Sequence, residues 1–209
     1  SWTLTALPLF VWMGEILFRT KLSKNLFEGL SPWMQKLPGG LIHVNVVGCA
    51  LFAAISGSSA ATVATVGKMS IPELRKRKYP EKILLGSLAG SGTLGLLIPP
   101  SIILIIYGVT VQESIAKLFI AGIIPGILIA LIFMSYVIVW SLINRKHMPK
   151  FEENFSFFEK VKKSKKLLPV ILLILSVIGS IYTGIATATE AASLGVVGAL
   201  ILSYFQKSL

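Results

Sequence analysis

Charge is scarce in this sequence. Asp, Glu, Lys and Arg make up 14% of its 209 residues, against 54% hydrophobic residues and a mean hydropathy of +0.79. A soluble domain of this length must cover its surface with more charge than that, so the composition excludes one. Acidic residues are scarcer still, 9 against 20 Lys and Arg, which leaves a net charge of +11. That excess is not a nucleic-acid signature here, because the cytoplasmic loops of membrane proteins collect Lys and Arg. The single cysteine, Cys49, allows no internal disulfide and reads as a small buried residue in an apolar stretch. The only two histidines, His43 and His147, lack metal-ligand spacing and read as interfacial polar residues. The basic leader and small-residue cleavage site of a signal peptide are missing as well. The opening "SWTLTALPLFVWMGEILF", residues 1–18, reads instead as the end of a span, and the chain is expected to be a segment of a larger membrane domain.

What is abundant is apolar sequence. Residues 118–143 and 167–186 are each long enough to cross a ~30 Å hydrocarbon core as a helix. Basic residues gather in three stretches, 19–40, 68–82 and 144–166, while residues 110–117 are neutral. Between the first two basic stretches lies an apolar run, 41–67, with "SGSSAAT" at its centre. If that run crossed the membrane once, the basic stretches on either side of it would face opposite compartments, against the positive-inside bias. If it enters and turns back, both stay cytoplasmic. Two arms of ~13 residues at ~1.5 Å per residue reach ~20 Å, about mid-membrane. The run is therefore expected to be a re-entrant hairpin with "SGSS" at its tip. Non-helical backbone at that depth needs burial in protein or a wet cavity.

The remaining elements follow the same bias. Residues 83–109 are expected to cross outward, 118–143 to return, and 167–186 to go out again. Residues 187–192, "TATEAA", then form a turn and 193–206 begin a returning helix. In 19–40, Leu22, Leu26, Phe27, Leu30 and Trp33 fall at roughly helical spacing, so this stretch is expected to lie along the interface. The outward crossing is itself broken. Pro99 and Pro100 remove two backbone donors and push Ile98 out of helical geometry, after a series of glycines, so the helix should unwind between about Gly92 and Pro100.

Several motifs have duller readings. Gly90, Gly92 and Gly95 spell G-x-G-x-x-G, yet no strand precedes them and Pro-Pro follows, which speaks against a dinucleotide site. Gly86 and Gly90 suit close helix packing. Ser58 after Gly57 suggests an intramembrane serine hydrolase with His43 as base, but His43 lies ~20 Å away along a helical arm. Glu15 and Glu190 border apolar runs, and Glu190 reads as favouring the N-terminal end of the next helix. An ion site fits the chemistry better. Unwound backbone frees carbonyls for a cation such as sodium, and two breaks in consecutive membrane elements supply oxygens near one level. Tight packing by small residues is the competing structural reading.

Five stretches together resemble the large membrane subunit of TRAP transporters, the tripartite ATP-independent periplasmic family. They are "PLFVWMGEIL" (8–17), "LFAAISGSSAATVATVGKMSIPEL" (51–74), "LGLLIPPSIILIIYG" (94–108), "LFIAGIIPG" (118–126) and "TGIATATEAA" (183–192). In the last, Ala188 stands where the family has a proline, and no ion role is given to that turn. The resemblance implies an all-α multi-pass fold with inverted repeats, moving in elevator fashion. It implies sodium-coupled uptake of small organic acids across the bacterial inner membrane, with no enzymatic step. C4-dicarboxylates, sialic acids and keto acids all stay open as substrates. The implied partners are a smaller membrane subunit and a periplasmic substrate-binding protein. The second-repeat hairpin and break are not found in these residues, so a transport-competent protein is expected to need more chain. For the first sodium site the resemblance points to Ser56, Ser58, Gly95, Ile98 and Pro100, with Gly57, Ser59, Gly92 and Pro99 in support. The alternatives are a sodium-coupled organic-anion carrier without a binding protein, the hydrolase, and a non-transporting scaffold.

Overall fold

The computed structural model describes residues 2–149 and 155–206, which form helices and turns and no strand. The chain is an all-α membrane protein. Among the described residues three helices are long and apolar enough to cross a membrane: Ile115–Ile143, Phe157–Tyr182 and Ala188–Phe205.

A short 3-10 turn leads into α1 (Ala6–Arg19), which packs along α10 (Ala188–Phe205). Thr20 closes the corner after α1, its hydroxyl donating to Leu17 O at 2.7 Å. Next comes α2 (Leu22–Met34), which buries Leu22, Leu26, Phe27 and Leu30 on one face. Trp33, at the same helical spacing, stays at the surface, where its indole N–H donates to Ser164 at 2.7 Å.

The central unit is a pair of helices, α3 (His43–Ser56) and α4 (Ser59–Lys76), joined by Gly57 and Ser58 alone. Both pack on α5 (Glu81–Gly92), and Asn45 ties α3 to α5 by donating to Leu84 O at 3.2 Å and to the Ser87 hydroxyl at 3.0 Å. The expectation of a loop over 68–82 needs correction, because α4 runs on to Lys76 and leaves only residues 77–80 as the link. Thr62, Val66, Ser70 and Leu74 repeat every fourth residue and are all buried, so one helical stripe carries α4 past the basic residues. Tyr79, 4% exposed, anchors the link by accepting the Leu41 N–H at 3.0 Å, and burial pushes its phenol pKa up.

Beyond α5 a 3-10 turn (Thr93–Leu96) and an irregular stretch precede α6 (Ile102–Val111). The long α7 (Ile115–Ile143) then returns, with Ile124, Ile127 and Leu131 exposed along its outer face. After a 3-10 turn at Arg145–His147, α8 (Phe157–Ser164) lies against α2, and α9 (Leu168–Tyr182) leads to α10. A second correction falls at 187–192, where the expected turn is the start of α10 instead. The Thr187 hydroxyl caps the helix, Glu190 reaches back to the Thr187 N–H at 2.7 Å, and this reciprocal pair starts the helix at Ala188.

Candidate functional site

The tip between α3 and α4 meets the gap between α5 and α6. Gly57 ends α3 with φ +58°, a left-handed conformation that glycine adopts without steric cost. A side chain there would also collide, since a Cβ on Gly57 would lie 2.6 Å from Pro100 O. The Gly57 carbonyl accepts the Ile102 N–H at 3.3 Å, so the tip and the start of α6 share a backbone hydrogen bond. On the other side of the crossing, a Cβ on Gly95 would lie 3.0 Å from both Ser58 O and Ser59 N. Gly92 faces Val63 and Ser59 O in the same way. Two glycines, one on each unwound segment, thus let two backbones touch.

The oxygens around this crossing are neutral. Ser58 caps α4, its hydroxyl accepting the Ala61 N–H at 3.4 Å. Its carbonyl is heavily used, accepting from Thr62 N at 3.0 Å, the Thr62 hydroxyl at 2.7 Å and the Ser56 hydroxyl at 3.2 Å. Ser56 and Thr62, 2% and 0% exposed, are themselves linked through their hydroxyls at 3.0 Å. In the other segment the prolines act selectively. Pro99 withholds the N–H that would reach Gly95 O, and Pro100 the one that would reach Leu96 O. Leu96 O is compensated by the Ser101 hydroxyl at 2.6 Å, and Ile98 N–H goes to Leu94 O at 2.8 Å. The Gly95 carbonyl therefore has no donor in the helical ladder. The Pro99–Pro100 peptide is cis.

Ser56, Ser58, Gly95 and Pro100 come together at the crossing, with Gly57, Ser59 and Gly92 at its contacts. Ile98 and Pro99 lie on the far wall, against α7. A Cβ on Gly126 would lie 2.8 Å from Ile98 Cγ1, and one on Gly122 2.7 Å from Leu97 O and 3.7 Å from Pro99 Cγ. Three contributors were not singled out from sequence. Thr62 braces Ser56 and Ser58, Ser101 caps α6 and satisfies Leu96, and Gly14 of α1 sits against Ser56, where a Cβ would be 3.0 Å from its Cα. Ser101 had a signal, a serine just before an apolar run. Thr62 and Gly14 had none, because their roles exist only in the packed structure.

Ser58 and His43 are not brought together. His43 opens α3 at the end opposite Ser58 and is engaged with Pro38 O at 2.8 Å through Nε2. Among the described residues no group of three His, Cys, Asp or Glu is placed to hold a metal ion.

Helices long enough to span a bilayer, built around a hairpin tip against an interrupted helix, define a multi-pass membrane protein with an interior polar crossing. The chain belongs to the family of the tripartite ATP-independent periplasmic transporter, DctM component, which it matches over residues 1–209. It is 36% identical to the C4-dicarboxylate TRAP transporter large permease protein DctM of Pseudomonas aeruginosa, over 98% of this chain and 47% of that protein. It is also 36% identical to the sialic acid TRAP transporter large permease protein SiaM of Vibrio cholerae, over 97% of this chain and 47% of that protein. The isethionate TRAP transporter permease protein DctMQ of Oleidesulfovibrio alaskensis is 36% identical over 98% of this chain and 32% of its own length. The chain spans about half the length of the DctM and SiaM relatives it matches. These relatives are transporter permeases, a non-enzymatic role.

Proposed function

We propose that this protein is the large membrane permease of a sodium-coupled system that imports small organic acids across the bacterial inner membrane. A smaller membrane subunit and a periplasmic substrate-binding protein complete it. Relatives named for C4-dicarboxylate, sialic acid and isethionate support a small organic anion as cargo. One observation carries the sodium reading: the hairpin tip and the helix break touch through Gly57 and Gly95, gathering neutral oxygens and no carboxylate.

Ser56, Ser58, Gly95 and Pro100 would hold the ion, with Ile98, whose side chain packs against α7, contributing only through its backbone carbonyl; a hard monovalent cation is satisfied by neutral carbonyl and hydroxyl oxygens. Gly95 offers the carbonyl that Pro99 deprives of a helical donor. Ser58 offers its hydroxyl, since its carbonyl already accepts three hydrogen bonds. Ser56 and Thr62 fix the tip, so its carbonyls keep their aim without reorganising. The same crossing is where α4 and α6 begin, and helix N-termini favour an anionic group nearby. In this reading α3 and α4 form a re-entrant hairpin, opened from the cytoplasmic side, and a domain carrying the crossing moves in elevator fashion.

The test is uptake by the complete transporter in proteoliposomes, with small subunit and binding protein present. Uptake should rise with sodium and fall when Gly95 is replaced by Leu. Sodium-independent uptake with an intact Gly95→Leu variant overturns the ion site. Equal uptake without the binding protein at limiting substrate would favour an independent carrier.

A further inference from the structure

A second polar place lies far from the crossing, where the turn after α2 meets the last turn of α7. A cleft of about 400 Å³ opens there, lined among others by Lys36, Gly39, Ser141, Leu142 and Arg145. We propose that this cleft binds the phosphate of an anionic membrane lipid, with the acyl chains running down α7.

Lys36 and Arg145 bring two positive charges to the rim, both exposed, and neither has an ion pair among the described residues. The described carboxylates of the neighbouring elements are engaged elsewhere: Glu15 with Arg19, Glu28 with Lys24 and Lys166, Glu73 with Arg77, Glu81 with Arg75, and Glu159 with the Ser156 N–H. Deeper in the wall, Ser141 is only 3% exposed and its hydroxyl has no hydrogen-bond partner among the described residues. Ser70 and Thr65 of α4 are also buried and unpaired among the described residues, but of the three only Ser141 lines this cleft. Ser31, Ser91 and Ser193 each donate to the carbonyl one turn earlier, at 2.5, 2.5 and 3.0 Å. A buried hydroxyl left unpaired is costly, and an acceptor oxygen in the cleft would satisfy it. The turn is shaped to reach this hydroxyl. Gly39 and Gly40 both have positive φ, +98° and +52°, and a Cβ on Gly39 would lie 3.0 Å from Ser141 Oγ and 2.6 Å from Val137 Cγ1.

The surface beside the cleft argues for a lipid rather than a free anion. Val139, Leu142 and Ile143 are 55%, 42% and 77% exposed on the same end of α7. An amphiphile uses both parts, its phosphate between the cations and its chains on the apolar stripe, whereas inorganic phosphate uses only the first. Basic clefts between membrane helices are suited to anionic headgroups. The leaflet, cytoplasmic, follows from the orientation proposed above; the binding chemistry does not depend on it.

The experiment uses the complete protein, delipidated in detergent and titrated with headgroup-labelled phosphatidylglycerol, with phosphatidylcholine as the neutral comparison. Phosphatidylglycerol should be preferred, and Lys36→Gln and Arg145→Gln should each weaken it about fivefold. Ser141→Ala should also weaken it, without lowering the melting temperature of the delipidated protein. Lys21→Gln with Lys82→Gln, the same charge removed elsewhere on exposed positions, should leave binding as it was. Equal loss in that control, or no preference over phosphatidylcholine, overturns the proposal. So does displacement of the lipid by inorganic phosphate at matching concentration, which would make the cleft a free-anion site. No sodium or transport substrate enters the assay, so its failure is separable from failure of the sodium site.

Discussion

At Gly57 and Gly95 the question is what a side chain would do. Leu at Gly57 must take a left-handed backbone, at ~1–2 kcal/mol, and drive its Cβ toward Pro100 O. Leu at Gly95 strikes Ser58 and Ser59 from the other side. Both should abolish or strongly weaken sodium-dependent uptake, because each displaces several oxygens together. Ser58→Ala is milder: it removes one hydroxyl and the α4 cap, and should weaken apparent sodium affinity by ~1–2 kcal/mol, roughly five- to thirtyfold. Thr62→Val keeps shape but takes away the brace on Ser58 O, so it should resemble Ser58→Ala. Sodium titration of uptake, with expression and melting checked, separates these cases. Unchanged sodium dependence in both glycine variants with transport intact would return the serines to a packing role. The break around Pro99 and Pro100 was legible from sequence, because a missing N–H is a property of the residue itself. The selective repair of Leu96 by Ser101, which leaves the Gly95 carbonyl without a helical donor, was not, because it depends on where one hydroxyl points.

Among the elements, α8 is held partly by charge. It rests on α2 through Trp33, which stacks edge-on against Phe157 and lies under Lys160, and through the ion pair of Glu28 with Lys166 in the short turn that follows α8. The Lys166 hydrogen bond, helped by Lys24, holds the Glu28 carboxyl below its ordinary 4.5 although partial burial works the other way. A carboxylate with a depressed folded pKa contributes in full above the ordinary value and loses that contribution as pH falls through the folded one. Spin labels at positions 25 and 162 should give a narrow α2–α8 distance from pH 7 to 5 and a broader one once pH falls below 4.5 and through the lowered folded value. Glu28→Gln should show the broader distribution throughout that range. A distance unchanged down to pH 3 would mean that Trp33 and the apolar contacts hold α8 alone. The amphipathic face of α2 was readable from the spacing of Leu22, Leu26 and Leu30. Its docking to α8 was not, since Trp33 and Ser164 are 131 residues apart and nothing local couples them.

For the molecule as a whole, the proposed function rests on orientation, which the positive-inside bias assigns from the basic stretches. Hydropathy spacing made the helical class legible, yet it misjudged where charged stretches stop being helix. α4 runs through Lys68 and Arg75 because its buried stripe continues, a tertiary fact that composition does not carry. If α3 and α4 form a re-entrant hairpin, the ends of both helices open on one side. Single cysteines replacing Lys24, Lys82 and Lys162, in a background lacking Cys49, should then all be shielded from an impermeant thiol reagent outside intact cells. A cysteine replacing Glu113, in the exposed link between α6 and α7, should react. All four positions avoid the left-handed residues Lys78 and Gln112, where a new side chain would strain the turn. Permeabilised cells should label all four, which shows that protection reflects the membrane and not burial. If positions 24 and 82 label from opposite sides, the apolar run between them crosses once. The crossing of tip and break would then no longer lie at mid-membrane between two helices that enter from the same face, and the proposed coupling site would lose its position.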